Sequence, residues 1–221
     1  MLFDGWTSFF RDRVMPWRIG MADRMRLQFE TDTLPRYVEI QRWYASKGVP
    51  IKRVRLADQA VWEAGKSSWM LPILDLEGTT DESAYFMPLT LAWEEQDEER
   101  VNRLMPAALA KIRQQASVGV ISDAFHDEGF CRALALAIGE GREIATASGR
   151  LLFRPTEAFK TLAADLAALP ASRPSAMSSN TVVTLGEAVF LKGYRRLREG
   201  LNPELEMGRF LTDVVRYPNC V

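Results

Sequence analysis

Residues 178–215 read SSNTVVTLGEAVFLKGYRRLREGLNPELEMGRFLTDVV. A polar run comes first, then two apolar runs broken at Gly186-Glu187, then a segment with helix-start chemistry. Thr181 to Leu185 and Ala188 to Tyr194 alternate as the strands of a hairpin. In the second strand Lys192 shares a face with Phe190 and Tyr194. An ammonium held beside aromatics on a rigid strand can meet phosphate oxygens. Asn202 then caps a helix, Pro203 takes its first position, and Glu204 and Glu206 follow within about a turn. Glu206 is expected to reach back to Lys192, and Glu204 to serve the helix N-terminus.

No standard phosphate loop supports a nucleotide reading, because GxxxxGK[ST] and GxGxxG are both absent. Ser179, Asn180 and Thr181 offer hydroxyls, an amide and backbone N–H groups as a substitute cradle, although the same residues also make ordinary turns.

Upstream, the chain reads as strands and helices without regular βαβ alternation, which is an α+β pattern. A helix is expected over 34–47, capped by Thr33 and stopped by Gly48. Its buried stripe would come from Val38 and Trp43, with Ile40 and Tyr44 nearby. Strands are expected over 51–62, 68–76 and 85–93, with Pro72 and Pro88 marking edges or bulges. An acidic helix from about residue 95 should end before Pro106, and a hairpin should follow over 107–122. The spacing of Phe130, Leu134 and Ile138 predicts an amphipathic helix over 127–138, stopped at Gly139 and Gly141. A hairpin about Ser148-Gly149 and a helix over 157–168, capped by Thr156, complete this part. Residues 169–179 are rich in Pro, Ser and Ala and read as a linker.

The 221 residues carry a net charge of −1, which argues against a nucleic-acid or anionic-membrane partner. Cys131 and Cys220 stand far apart in sequence and form no disulfide framework. No signal-peptide pattern or membrane-length apolar run is present, so a cytoplasmic location is expected. His126 next to Asp127 and Glu128 is better read as a helix start than as a metal ligand. Trp62, Trp69 and Trp93 fall on strands, where core packing is the simpler reading. Cys131 reads as a packed apolar residue.

The stretch from Ser178 resembles the start of the ATP lobe of maltokinases, including those fused to trehalose synthase. LPRYVEIQRWYASKG resembles the opening of their N-terminal cap, and VISDAFHDEGFCRALALAI their intermediate segment. The resemblance implies four parts: a lead-in over 1–30, a cystatin-like cap (a helix on a curved antiparallel sheet) over 31–105, an intermediate subdomain over 106–170, and the start of a protein-kinase-like N-lobe over 171–221. It also implies an ATP- and Mg²⁺-dependent enzyme that phosphorylates maltose at its reducing end, feeding glycogen-type glucan synthesis. Lys192 and Glu206 match that family's strand lysine and helix glutamate. The catalytic base and metal ligands of the family lie in a later lobe, so no catalytic residue is assigned in this chain.

Gly193 departs from the family pattern, where a bulky apolar residue is expected, and should loosen the strand. With only one wall of a nucleotide cleft, the chain alone is expected to hold ATP more weakly than about 1 mM. The apolar face of the last helix (Leu205, Phe210, Leu211, Val214) would be left uncovered, favouring self-association or disorder beyond about residue 200. The competing expectation is a non-catalytic module whose first ~170 residues dock onto a trehalose synthase domain or another partner.

Overall fold

The computed structural model describes residues 23–79, 83–114, 116–160, 162, 165–174 and 180–217. The part of the expected lead-in before residue 23 and the role of Ser179 lie outside them.

Helix α1 (Asp23–Gln28) runs without a break through a wide turn at Phe29–Thr33 into α2 (Leu34–Ile40). In the wide turn the Leu34 N–H reaches back to the Phe29 carbonyl. That wider winding sits just before Pro35, which has no N–H and would crowd the preceding turn of a regular helix. Thr33 is therefore inside the helix and makes no cap. The helix also stops seven residues earlier than 34–47 predicts, because Gln41 is extended at ψ 138°. Tertiary packing overrides local propensity here. Tyr44 turns inward against Tyr85, with ring centroids 6.4 Å apart, while Ile40 is left exposed.

The main sheet is antiparallel. Its long strands are β1 (Arg53–Ala64) and β2 (Ser67–Glu77). The third expected strand is split at Met87-Pro88 into β3 (Tyr85–Phe86) and β4 (Leu89–Trp93). Helix α3 (Glu94–Leu104) leads to β5 (Ala108–Gln114) and β6 (Ser117–Asp123). The order is β1-β2-β4-β6-β5, with β3 also on β2. Pro72 lies on the interior strand β2 rather than at an edge. It is tolerated because its neighbour on one side is interrupted at Pro88, so the ladder is already broken there. Within α3, Asp97 is extended and its carboxylate accepts the Arg100 N–H at 2.8 Å, so the regular turns start at Asp97.

A bulge in β1 between Leu56 and Asp58 decides how the sheet is covered. Before it, Val54 and Leu56 face the N-terminal helix with Met70 and Leu74 of β2. After it, Ala60 and Trp62 join Trp69 and Leu71 on the opposite face. One extra residue thus switches which side of β1 is apolar. β2 is buried on both faces through its middle. Close approach of β4 and β6 requires Gly119, since a Cβ there would lie 2.3 Å from the Ala92 carbonyl oxygen.

The second face is covered by α4 (Glu128–Glu140), capped by Asp127 and closed by Gly141 at φ 64°. Gly139 is inside this helix. A small hairpin, β7 (Glu143–Ala145) with β8 (Arg150–Leu152), follows, and Asp58 fixes it by accepting from Thr146 and Ser148. Thr156 caps α5 (Glu157–Lys160), which is shorter than the expected 157–168. Within the expected linker, β9 (Ala171–Ser172) pairs with β10 (Thr181–Leu185), which pairs with β11 (Val189–Gly193). Val183, Leu185 and Leu191 bury against Phe130, Cys131 and Trp69. The chain therefore forms an α+β fold built on antiparallel sheets.

Candidate functional site

The hairpin β10–β11 forms, but residues 186–188 make its turn rather than Gly186-Glu187 alone, so that Leu185 faces Val189, Val182 faces Lys192 and Thr181 faces Gly193. It is anchored beyond its end. Residues 195–197 run antiparallel to 84–86, with Phe86 N–H donating to the Arg195 carbonyl and Leu197 N–H to that of Ala84, both at 2.7 Å. Helix α6 (Pro203–Arg209) then begins at Asn202, whose side-chain oxygen accepts the Glu204 N–H at 2.9 Å and the Leu205 N–H at 3.4 Å.

Lys192 lies on the exposed face of β11, with its Nζ 5.2 Å from the centre of the Tyr194 ring. It donates to a glutamate of α6, but that glutamate is Glu204 and not Glu206. The reason is angular. Residues two apart on a helix are turned by about 200°, so a helix that aims 204 at the hairpin turns 206 away. The bond to Glu204 raises the Lys192 pKa, and the same bond lowers that of Glu204. Tyr194 completes the group, its hydroxyl pushed up by burial and by Glu204.

The polar run divides differently from the expected cradle. Thr181 is buried and its hydroxyl accepts from Arg195 Nε at 2.8 Å. That commits Thr181 to the interior, while Asn180 stays half-buried at the strand start.

Arg195 is the residue that sequence reasoning passed over. It is 1% exposed, and its Nη2 donates to Asp123 of β6. Its guanidinium carbon lies 4.3 Å from the centre of Phe125 and 5.6 Å from that of Trp43. An arginine directly after an aromatic strand end, in the pair Arg195-Arg196, was the available signal. Gly193 is explained by the same cluster. A Cβ there would sit 2.9 Å from the Phe125 ring, so glycine leaves room for the ring that seats Arg195. The strand remains fully paired and is not loosened.

A second polar knot sits under α4. Asp127 Oδ2 accepts from Trp69 Nε1 at 3.0 Å, Thr90 Oγ1 at 2.7 Å and Arg100 Nη2 at 2.7 Å, while Oδ1 accepts the Gly129 N–H. Burial pushes the Asp127 pKa up, but Arg100 and these hydrogen bonds outweigh it and hold it low. His126 closes a short turn against Arg173. Its pKa is pushed down to about 4 by burial and by that guanidinium. The Cys131 thiol is pushed up to about 12, chiefly by burial, which makes it unreactive. Trp62, Trp69 and Trp93 are buried in the core. Among the described residues no group of three His, Cys, Asp or Glu side chains is placed to hold a metal ion. Among them, too, no helix is long and apolar enough to cross a membrane.

Residues 37–127 match a family model described as the maltokinase N-terminal cap domain. They run from the last turn of the N-terminal helix through the whole main sheet to the cap of α4. No curated protein matches the chain.

Proposed function

From the maltokinase N-terminal cap domain at residues 37–127, we propose that the chain is the N-terminal part of a maltokinase, a cytoplasmic phosphotransferase that moves the γ-phosphate of ATP to maltose and gives maltose 1-phosphate. The observation that carries this reading beyond the cap is the strand lysine seated by a helix glutamate. Lys192 is held by Glu204 on the exposed side of the hairpin. In kinase-like lobes such a pair positions an ammonium against the α- and β-phosphates. Glu204 takes the role first expected of Glu206, and Asn180 is the remaining polar neighbour at the strand start.

Bound ATP supplies the transferring phosphoryl group, and Mg²⁺ neutralises its developing charge. On this reading the base and the magnesium ligands come from a catalytic lobe that packs on α6. That helix and the wide turn that continues it over Phe210–Val215 leave apolar side chains uncovered: Leu205, Met207, Phe210 and Val214 are each at least half exposed. The area fits a lobe interface better than free solvent. The rival reading makes the cap a docking module for a trehalose synthase domain.

The test joins residue 221 to the catalytic lobe of a maltokinase and follows ATP-dependent phosphorylation of maltose. Loss of activity in Lys192→Ala and Glu204→Gln, with Glu206→Gln active, supports the proposal. Activity indifferent to Lys192, together with loss of trehalose synthase co-purification when residues 1–90 are removed, supports the docking reading instead.

A further inference from the structure

Between the loop after α2 and the segment leaving β11 lies a cleft of about 790 Å³. Its lining includes five cations, Arg42, Lys47, Arg195, Arg196 and Arg198, against the single carboxylate of Glu199. The whole chain carries a net charge of −1, so this concentration of positive charge is local. Neither Lys192 nor Glu206 contributes to the lining.

Two features distinguish the cleft from a merely basic surface. First, Arg195 is 1% exposed, yet its Nη1 has no hydrogen-bond partner among the described residues, while Nε bonds Thr181 and Nη2 bonds Asp123. A buried guanidinium with one unsatisfied nitrogen carries a desolvation cost that an anion in the adjoining cleft would relieve. Second, Arg42 and Arg198 are exposed on opposite walls and meet no carboxylate among the described residues. Trp43 and Tyr194 add flat apolar surface beside the charges.

We propose that this cleft binds a phosphate-bearing small molecule, whose anionic oxygens meet Arg42 and Arg198 with the buried Arg195 charge behind them, and whose organic part lies along Trp43 or Tyr194. Guanidinium forks suit phosphate because they offer paired N–H donors to paired oxygens. One wall belongs to the cap and the other to the segment between hairpin and α6. A ligand here therefore bridges the two and favours their packed arrangement. Lys192 and Glu204 do not line the cleft, which shares only Asn180 and Tyr194 with the hairpin site, and the proposal does not depend on the role of that pair.

The test is calorimetric titration of the full chain at low salt with pyrophosphate and with glucose 1-phosphate, which separate diphosphate-bearing from phosphosugar ligands. Saturable binding of either probe is expected. Arg42→Gln and Arg198→Gln should each weaken it about tenfold, and Lys192→Gln should weaken it far less. Arg42 and Arg198 are exposed, and circular dichroism of the variants verifies that they remain folded. Absence of saturable binding, wild-type affinity in both arginine variants, or an equal loss in Lys192→Gln would each overturn the proposal. The last result would place the anion on the hairpin face, and it would leave the maltokinase reading standing.

Discussion

Replacing Arg195 by Met tests whether the hairpin and the cap are one cooperative structure. Methionine keeps most of the volume between Phe125 and Trp43 but removes every donor. Asp123, whose side chain is 3% exposed, loses the guanidinium and keeps only the Phe125 N–H at 3.0 Å. Thr181 loses its donor as well. Breaking a buried ion pair by removing one member costs about 3–5 kcal/mol, mostly because the other charge is stranded. The surviving bond to Asp123 places the expected loss at the lower end, about 3 kcal/mol. For a chain of this length that corresponds to a fall of about 6–12 °C in Tm. Urea unfolding followed by tryptophan fluorescence reads the loss. Hydrogen exchange should show the Phe86 and Leu197 amides opening with it, since both bond across the junction. Adding Asp123→Asn to Arg195→Met should restore part of the stability by discharging the stranded carboxylate. A cost below about 1 kcal/mol, or a second substitution that adds its full penalty, would refute the reasoning.

Other consequences are equally direct. Asp127→Ala removes a helix cap and leaves Trp69 Nε1 and the Thr90 hydroxyl without their acceptor. Chemical unfolding should show a loss of about 3 kcal/mol or more, with Asp127→Asn costing roughly half that. Gly193→Leu forces the Phe125 ring to move, because even a Cβ sits 2.9 Å from it. The expected cost is about 1–3 kcal/mol, partly recovered by Phe125→Ala in the same chain. On acidification, His126 acts first. Its native pKa of about 4 lies below the unfolded ~6.5, so the unfolded chain takes up the proton first, and stability falls as pH drops through that interval. After allowance for partial solvent screening, Tm measured against pH should show a loss of about 1–3 kcal/mol there, absent in His126→Gln. Asp127 and Glu30, both held low in the fold by arginines, contribute stability that is present above their unfolded values near ~4 and lost below.

Local signals along the chain predict most elements and miss the places where distant residues decide. The hairpin at 181–193, the Asn202-Pro203 helix start and a helix beginning about His126-Asp127 follow from nearest-neighbour chemistry, and all three form, the last with Asp127 as its cap. The helix expected over 34–47 does not persist, because Trp43 and Tyr44 are drawn to Tyr85. The flip of β1 at its bulge is hidden in the sequence, where Val54, Leu56, Ala60 and Trp62 all fall on even positions. At the candidate site the lysine was legible and its partner was not. The choice between Glu204 and Glu206 depends on the angle at which α6 leaves Asn202. Arg195 escaped notice because surface arginines are common, and only the fold brings Asp123, Thr181, Phe125 and Trp43 around it.

The most direct test is an NMR titration of the chain with Mg²⁺-ATP, recorded on the Arg42→Gln/Arg198→Gln double variant so that the basic cleft is silenced. The account predicts weak, fast-exchange shifts that cluster at Asn180, Val182, Lys192 and Tyr194, do not saturate below about 1 mM, and vanish in Lys192→Ala. Unmoved hairpin signals at high nucleotide concentration, or shifts that persist without Lys192, would contradict it.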